Sequence, residues 1–269
     1  MNQGVNWAEL STGVRLPYVS VGPSSATPVM LLHAWGESRR SFDRLMPMLA
    51  STVQAVAVDQ RGHGDADRPT NGYSLASLAQ DIVALLDALG IDSAVLLGSS
   101  SGGYVAQQVA AINPRRVAGL VLVGSPRSLH ERPPFANEVE QLSDPLDEEW
   151  VRDSLTWFPR FQPVPKWYIE DRVREGARIP AHVWRDTFHG LCEATPPSDA
   201  ASITSPTLIL WGDRDASLGR AQGDDLVRAI PGSRMIVYAD TGHLVLWEQP
   251  DRVAADLMAF MDTLPKHLR

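Results

Sequence analysis

The segment at residues 95–104 restricts the possible folds of this chain more than any other. An apolar run, Val95-Leu96-Leu97, leads into Gly98, three serines and two glycines, and a helical pattern follows. This order predicts a strand, a sharp turn and a helix, with Gly98-x-Ser100-x-Gly102 on the turn. A glycine and serine run also suits a flexible turn, but the strand before it and the helix after it favour a nucleophile elbow. In such an elbow the strained backbone exposes the Ser100 hydroxyl at the carboxyl end of the strand.

Unbroken apolar runs alternate with helical patterns on both sides of this segment. Runs of this kind are typical of strands buried on both faces of a sheet. Their regular alternation with helices is typical of βαβ units. We therefore predict an α/β fold with a mostly parallel central sheet flanked by helices, preceded by two short antiparallel strands between Trp7 and Val21. The runs lie at residues 28–33, 53–59, 94–97, 117–123, 206–212 and 233–238, and the helical patterns at 41–49, 73–89, after the elbow to 112, before 230 and at 251–264.

The composition of the chain changes at about Ser128. From there to about Thr204 it is rich in proline, tryptophan, phenylalanine and charged residues, without a buried strand. Helical patterns occur at residues 148–157, 167–176 and 181–191. We expect residues 1–127 and 205–269 to form one core domain, and residues 128–204 to form a helical insertion between two of its strands. Most aromatic residues of the insertion are expected to pack, with a few lining a pocket.

Composition argues against several kinds of chemistry. The 269 residues carry a net charge of −8, which disfavours binding to nucleic acid or to acidic membrane surfaces. The single cysteine, Cys192, cannot form a disulfide within the chain or a cysteine metal cage, and we expect it to fill a buried or half-buried position. The sequence has no histidine-rich ligand spacing and no dinucleotide-binding glycine pattern. We therefore expect neither a metal ion nor an organic cofactor.

Three residues that can carry chemistry, Ser100, Asp215 and His243, each follow a predicted parallel strand. The carboxyl ends of such strands share one edge of the sheet, where ligands bind, so these residues can meet there. A serine hydroxyl is a weak nucleophile at neutral pH. It needs a neighbouring base, and the base needs a carboxylate that orients it. The chain order Ser, Asp, His is the one expected of this architecture, with Asp213 as the alternative carboxylate.

Attack by Ser100 would also need hydrogen-bond donors for a developing oxyanion. One donor is the backbone N–H of Ser101, which directly follows the nucleophile. The second is expected in the loop after the strand that ends at His33, where the N–H of Trp35 is our candidate. His33 itself is expected to be structural, because chain order makes His243 the better placed base.

Five motifs distributed along the chain support the same interpretation. They are His33-Ala34-Trp35-Gly36-Glu37-Ser38, Asp59-Gln60-Arg61-Gly62-His63-Gly64, Gly98-Ser99-Ser100-Ser101-Gly102-Gly103, Trp211-Gly212-Asp213-Arg214-Asp215, and Gly242-His243 followed by Glu248-Gln249-Pro250. With them the chain resembles the α/β-hydrolase superfamily, in particular small esterases, enol-lactonases and related hydrolases with a helical cap. The resemblance implies that Asp215 is the carboxylate, that His243 is the base and that residues 128–204 are the cap. Two residues depart from the family pattern: Ala34 replaces the usual glycine, and Ser99 a usually larger residue.

This resemblance implies a serine hydrolase that cleaves a small carboxylic ester or lactone through an acyl-enzyme on Ser100. Relatives that act on epoxides or haloalkanes use an aspartate at the elbow, so the serine favours acyl chemistry. A carbon–carbon bond hydrolase of a vinylogous diketone remains open, as do a ligand-sensing protein with little turnover and a cofactor-free oxygenase. Perhydrolysis and acyl transfer would share the acyl-enzyme. The arginines available for a diketone substrate are Arg127, Arg160, Arg172 and Arg185.

The sequence also suggests where the protein acts and what it binds. Its first residues contain no basic segment followed by an apolar one, so no signal peptide is expected. No apolar run approaches membrane-spanning length. We expect a cytoplasmic protein whose partner is a small-molecule ester or lactone, without nucleic acid or membrane. The sequence leaves a homodimer open.

Overall fold

An eight-stranded sheet lies at the centre of the computed structural model, which describes residues 4–265. Its strands are β1 (Asn6–Glu9), β2 (Arg15–Val21), β3 (Pro28–Leu32), β4 (Gln54–Val58), β5 (Ala94–Ser99), β6 (Val117–Val123), β7 (Thr207–Gly212) and β8 (Arg234–Tyr238). Their order in the sheet is β1-β2-β4-β3-β5-β6-β7-β8. β2 is antiparallel to β1 and β4, and all pairs among β3 to β8 are parallel. The predicted α/β fold is confirmed.

Helices cover both faces of this sheet. In the described part of the chain they are α1 (Met46–Leu49), α2 (Leu75–Ala88), α3 (Ser101–Ile112), α4 (Ala136–Glu140), α5 (Glu148–Ser154), α6 (Lys166–Ala177), α7 (Ala181–Cys192), α8 (Pro197–Ala200), α9 (Gly219–Ala229), α10 (Val245–Glu248) and α11 (Pro250–Thr263). Short 3-10 turns lie at Arg39–Phe42, Pro114–Arg116 and Leu155–Trp157.

Two hydrophobic clusters hold the helices to the sheet. All six residues of β5 are buried, and successive side chains of a strand point to opposite faces. Leu96 belongs to the cluster that includes residues of α2 and α3, such as Leu85 and Val105. Leu97 belongs to the other cluster, which includes Leu257 of α11. β5 is therefore the buried centre of a sheet that is covered on both sides.

The turn from β5 into α3 brings backbone against backbone. A Cβ atom on Gly98 would lie 2.4 Å from the carbonyl oxygen of Gly102. A Cβ on Gly102 would lie 2.3 Å from the carbonyl oxygen of Leu32, at the end of β3. Neither position can accept a side chain without moving the main chain. The close packing expected two residues on either side of Ser100 is thus present.

The segment at residues 41–49 differs from its prediction as a single helix. The chain forms the 3-10 turn at Arg39–Phe42 and then the four-residue helix α1, which begins at Met46. Pro47 lies in the first turn of α1. Proline has no N–H and clashes with the preceding turn of a helix, so a helix starting at Ser41 cannot continue through it.

Five helices, α4 to α8, lie between β6 and β7, and none of the described residues between them forms a strand. α5, α6 and α7 correspond to the three predicted helical patterns. They pack over the carboxyl edge of the sheet. Gly36, in the loop after β3, lies so close to the Trp184 ring that a Cβ atom there would be only 2.1 Å from it. The indole N–H of Trp35 donates to the Trp184 carbonyl at 3.0 Å. Glu248 of α10 accepts hydrogen bonds from the N–H groups of Phe161 and Gln162 at 2.7 and 2.8 Å. These contacts tie the insertion to loops at the carboxyl edge of the sheet.

Within residues 4–265, no helix combines the length and the apolar character needed to cross a bilayer.

The packing at the elbow predicts the effect of adding one methyl group. Gly102→Ala should lower the free energy of unfolding by about 3 kcal/mol or more, because the new Cβ would meet the Leu32 carbonyl and the backbone would have to shift. Gly4→Ala is a matched control, since nothing lies within 4 Å of a Cβ there. That variant should change stability by less than about 0.5 kcal/mol. Urea unfolding followed by tryptophan fluorescence measures both, and equal midpoints for the two variants would contradict this packing.

Candidate active site

The backbone of Ser100 adopts a conformation that few residues other than glycine accept. Its φ is 48° and its ψ is −119°. Such a conformation is strained for a residue with a side chain and persists only where the surroundings impose it. Here the Ser100 N–H donates to the carbonyl of Val123, on the neighbouring strand β6, at 2.8 Å. The turn therefore holds the Ser100 side chain at the carboxyl edge of the sheet, in the cavity described below.

Three side chains form a hydrogen-bonded series at this edge. The Ser100 hydroxyl lies 2.9 Å from Nε2 of His243, and Nδ1 of His243 lies 2.8 Å from Oδ2 of Asp215. Because a carboxylate can only accept, Nδ1 carries the proton and Nε2 is free to accept from the serine. Asp215 follows β7 and His243 follows β8, so the parallel strands bring together three residues that are separated by up to 143 positions. This is the arrangement of a nucleophile, a base and an orienting carboxylate.

Asp215 stays ionised despite its burial. Burial alone opposes ionisation, but the His243 imidazole and the N–H groups of Leu218 and Ser217 outweigh it, so the pKa of Asp215 lies below its usual value. The two backbone donors reach Oδ1 at 3.1 and 2.9 Å. One carboxylate oxygen is thus held by the backbone and the other faces the imidazole, which fixes the orientation of the ring.

The alternative residues weighed from the sequence lie elsewhere. Asp213 is exposed, and its carboxylate accepts from the N–H of Thr241 at 3.2 Å. His33 is buried with both ring nitrogens engaged: Nδ1 donates to the Ala34 carbonyl at 2.8 Å, and Nε2 accepts from the N–H of Gln60 at 3.0 Å. Burial lowers the pKa of His33 well below its usual value. His33 thus links the ends of β3 and β4 as a neutral residue.

The expected oxyanion donors have a feature that sequence reasoning missed. The N–H of Trp35 donates to the side-chain hydroxyl of Ser101 at 2.7 Å. Both residues line the same cavity as Ser100. The Trp35 amide therefore lies beside the elbow, where the Ser101 hydroxyl accepts its hydrogen bond. The orientation of one hydroxyl depends on packing, and no sequence pattern would have indicated it.

A cavity of about 300 Å³ opens above Ser100 and His243. Its volume lies in the range of small-molecule sites. Most of its wall is apolar and comes from the insertion. In this wall the ring of Phe135 stacks on that of Trp157, with centroids 4.2 Å apart. The ring of Phe158 stacks on the His243 imidazole, with centroids 5.1 Å apart. More of the aromatic residues than expected therefore line the pocket. Those of the insertion are Phe135, Trp157, Phe158, Trp184 and Phe188.

A few polar residues interrupt this apolar wall. Glu37, Arg172 and Trp247 also line the cavity, and all three are buried. The sequence offers Arg172 as one of four candidate arginines for substrate binding, and it indicates no role in the pocket for Glu37 or Trp247. Their roles could not be inferred from spacing, because Arg172 and Trp247 come from different helices that meet only in the folded chain.

The structure also bears on two other kinds of reactive group, a cysteine nucleophile and a metal site. Cys192 is half-buried, and burial raises the pKa of its thiol to about 11, so it is not a thiolate nucleophile at neutral pH. Among residues 4–265, no three histidine, cysteine, aspartate or glutamate side chains lie where they could hold a metal ion together. Ser100, His243 and Asp215 are the candidate catalytic groups of this site.

Comparison with known proteins agrees with this geometry. A non-heme chloroperoxidase of Streptomyces lividans is 38% identical over 274 residues, covering 93% of this chain and 97% of that protein. A pimeloyl-[acyl-carrier protein] methyl ester esterase of Neisseria meningitidis is 31% identical over 254 residues, covering 89% of this chain and 95% of that protein. The crystal structure of the esterase RhEst1 from Rhodococcus sp. ECU1013 superposes with a TM-score of 0.84 at 26% identity, covering 97% of this chain and 99% of that one.

The sequence profile of the alpha/beta hydrolase family matches residues 29–256, which contain both the sheet from β3 onward and the Ser100 site. Together with the eight-stranded sheet and the elbow at Ser100, this match shows that the chain belongs to the alpha/beta hydrolase family and is a hydrolase of that superfamily.

Proposed function

We propose that this hydrolase cleaves a small carboxylic ester or lactone through an acyl-enzyme on Ser100. The observation that carries the proposal is the contact between the Ser100 hydroxyl and Nε2 of His243, 2.9 Å apart, in a cavity with an apolar wall. The similarity to two esterases supports acyl chemistry. The cavity volume of about 300 Å³ favours a small substrate.

The first half of the proposed reaction forms the acyl-enzyme. Nε2 of His243 takes the proton of the Ser100 hydroxyl as Oγ attacks the substrate carbonyl. Asp215 stabilises the imidazolium that results. When the tetrahedral intermediate collapses, the bond to the alcohol oxygen breaks and the alcohol leaves with the proton from His243. The acyl group remains on Ser100.

The second half releases the acid. His243 takes a proton from water as the water oxygen attacks the acyl carbonyl. The ester bond to Oγ breaks, the proton returns to Ser100, and the carboxylic acid leaves. In both halves the backbone N–H groups of Trp35 and Ser101 would hold the oxyanion. The Trp35 N–H then exchanges its bond to the Ser101 hydroxyl for one to the oxyanion.

Substitution of the three side chains tests this mechanism. Ser100→Ala should lower kcat for p-nitrophenyl acetate by at least about 1,000-fold, because no nucleophile remains. Asp215→Asn should lower it by about 1,000-fold or more through loss of the correct imidazole tautomer. Asp213→Asn, two residues away and exposed, is the matched control and should stay within about threefold. Full activity in pure Ser100→Ala protein, or a larger loss in Asp213→Asn than in Asp215→Asn, would contradict the assignment.

A covalent adduct tests the proposed oxyanion site. After reaction with an aryl phosphonate, a crystal structure should place a phosphoryl oxygen about 2.7–3.1 Å from the N atoms of both Trp35 and Ser101. The Ser101 hydroxyl should then have left the Trp35 N–H. A phosphoryl oxygen held by other donors, with the Trp35–Ser101 bond intact, would exclude Trp35 from the oxyanion site.

The chloroperoxidase relative supports a second candidate reaction of the same acyl-enzyme. Hydrogen peroxide could attack the acyl carbonyl in place of water, giving a peroxycarboxylic acid and free Ser100. The peracid would then oxidise a halide ion and revert to the carboxylic acid. This candidate rests on the 38% identity to the protein named non-heme chloroperoxidase.

Halogenation of monochlorodimedone in acetate, hydrogen peroxide and bromide tests the second candidate. The wild-type protein should brominate monochlorodimedone. Ser100→Ala should do so at least about 1,000-fold more slowly, because the peracid forms only from the acyl-enzyme. Equal rates for the two proteins would assign any bromination to chemistry outside this site.

A further inference from the structure

The Arg172 side chain lies in the wall of the cavity, in an unusual state for an arginine. It is only 3% exposed, and it lines the cavity that contains Ser100 and His243. Within residues 4–265, none of its three guanidinium nitrogens makes a hydrogen bond. A guanidinium offers five N–H donors and stays charged at any pH a protein tolerates. Burying such a group without acceptors is unfavourable, so a partner that binds in the cavity is expected.

The carboxylates near Arg172 already have other partners. Asp171, beside it on α6, forms an ion pair with Arg40 at 2.7 Å. Glu175 forms one with Arg178 at 3.2 Å. Glu37 shares the cavity with Arg172, but its carboxylate accepts from the Ser41 hydroxyl at 2.5 Å. Burial raises the pKa of the Glu37 carboxyl. Among residues 4–265 no ion pair joins it to the guanidinium, so the donors of Arg172 stay unmatched.

Aromatic packing holds the guanidinium in place. Its central carbon lies 5.0 Å from the ring centroid of Tyr168, one helical turn earlier on α6. Tyr168 is itself fixed, because its hydroxyl donates to the Ser41 carbonyl at 2.6 Å and its ring meets Trp247 edge-on at 5.4 Å. The contact to the π face stabilises the cation. The ring contact therefore fixes where the guanidinium lies in the cavity wall.

A second donor in the cavity wall is also unmatched. Trp247 of α10 is 1% exposed, lines the same cavity, and has an indole N–H without an acceptor among the described residues. Like arginine, tryptophan can only donate. Two buried side chains from separate helices therefore lack the same thing, an acceptor. A ligand group that brings acceptor oxygens and no donors is what each of them lacks.

We propose that Arg172 binds a free carboxylate of the substrate, so that the preferred substrates are esters or lactones that carry a second, ionised carboxyl group. This inference rests on the proposed ester hydrolysis at Ser100 and specifies its substrate class. Planar guanidinium matches carboxylate with two parallel hydrogen bonds, whereas a neutral ester group offers weaker acceptors and no charge. The apolar wall between the two ends would hold the chain that separates the carboxylate from the scissile carbonyl.

Monomethyl and dimethyl esters of the dicarboxylic acids from succinate to suberate test the proposal. Titration of the released acid measures the rates. At one chain length, kcat/KM should be higher for the monomethyl ester than for the dimethyl ester of the same diacid. For that ester, Arg172→Met should lower kcat/KM by about 100-fold, because a charge-assisted hydrogen bond is lost, and it should leave the dimethyl ester within about threefold. Arg172→Lys should be intermediate, since it keeps the charge but not the planar fork. Arg174→Met, on the same helix but 60% exposed, is the matched control and should leave both esters within about threefold.

A binding measurement separates failure of this proposal from failure of the proposed hydrolysis. Calorimetry on the Ser100→Ala variant should detect binding of the dicarboxylate of the preferred length and no binding of its neutral diamide. The double variant Ser100→Ala, Arg172→Met should not bind the dicarboxylate. This pattern supports the carboxylate site even if the wild-type protein cleaves no ester. Equal loss of kcat/KM for both esters in Arg172→Met would overturn the proposal. So would equal binding of the dicarboxylate and the diamide, a result that needs no change at Arg172 and does not depend on whether its variants fold.

Discussion

The close contact of backbone with backbone at the elbow is the constraint on which the rest of this structure depends. β5 and α3 approach so closely that Gly98 and Gly102 have no room for a Cβ. The same contact gives Ser100 a positive φ and directs its hydroxyl away from the sheet. Because Gly102 also touches the end of β3, the elbow lies beside the loop that carries Trp35. One packing arrangement thereby positions the hydroxyl and both amides considered for the oxyanion.

Burial acts differently on the charged groups around this elbow. Asp215 is buried, but backbone N–H groups and an imidazole surround it, so it remains ionised and can orient His243. Arg172 is buried as deeply, yet no acceptor in the described chain meets its nitrogens. The first group is completed by the protein itself. We propose that a ligand completes the second, so the two groups support different kinds of conclusion: one about mechanism and one about substrate.

Much of the fold could be predicted because its signals are local and repeated. Apolar runs alternating with helical patterns indicated the sheet, and chain order indicated that Ser100, Asp215 and His243 would share an edge. The helix predicted over residues 41–49 was wrong, because the apolar spacing looked continuous while Pro47 prevents a continuous helix. The bond from the Trp35 N–H to the Ser101 hydroxyl could not be predicted, since it depends on the side-chain conformation of one residue and on a loop from another part of the chain.

The sequence by itself determined the layered α/β architecture and the positions of a serine, a carboxylate and a histidine after three parallel strands. These follow from periodicity, glycine placement and chain order, which act over a few residues at a time. Only the tertiary structure decided which charged side chains face the cavity and which of them lack a partner. Arg172, Glu37 and Trp247 come from three distant segments, and whether a buried group is satisfied depends on every atom around it. That is a property of the packed chain, and no stretch of sequence contains it.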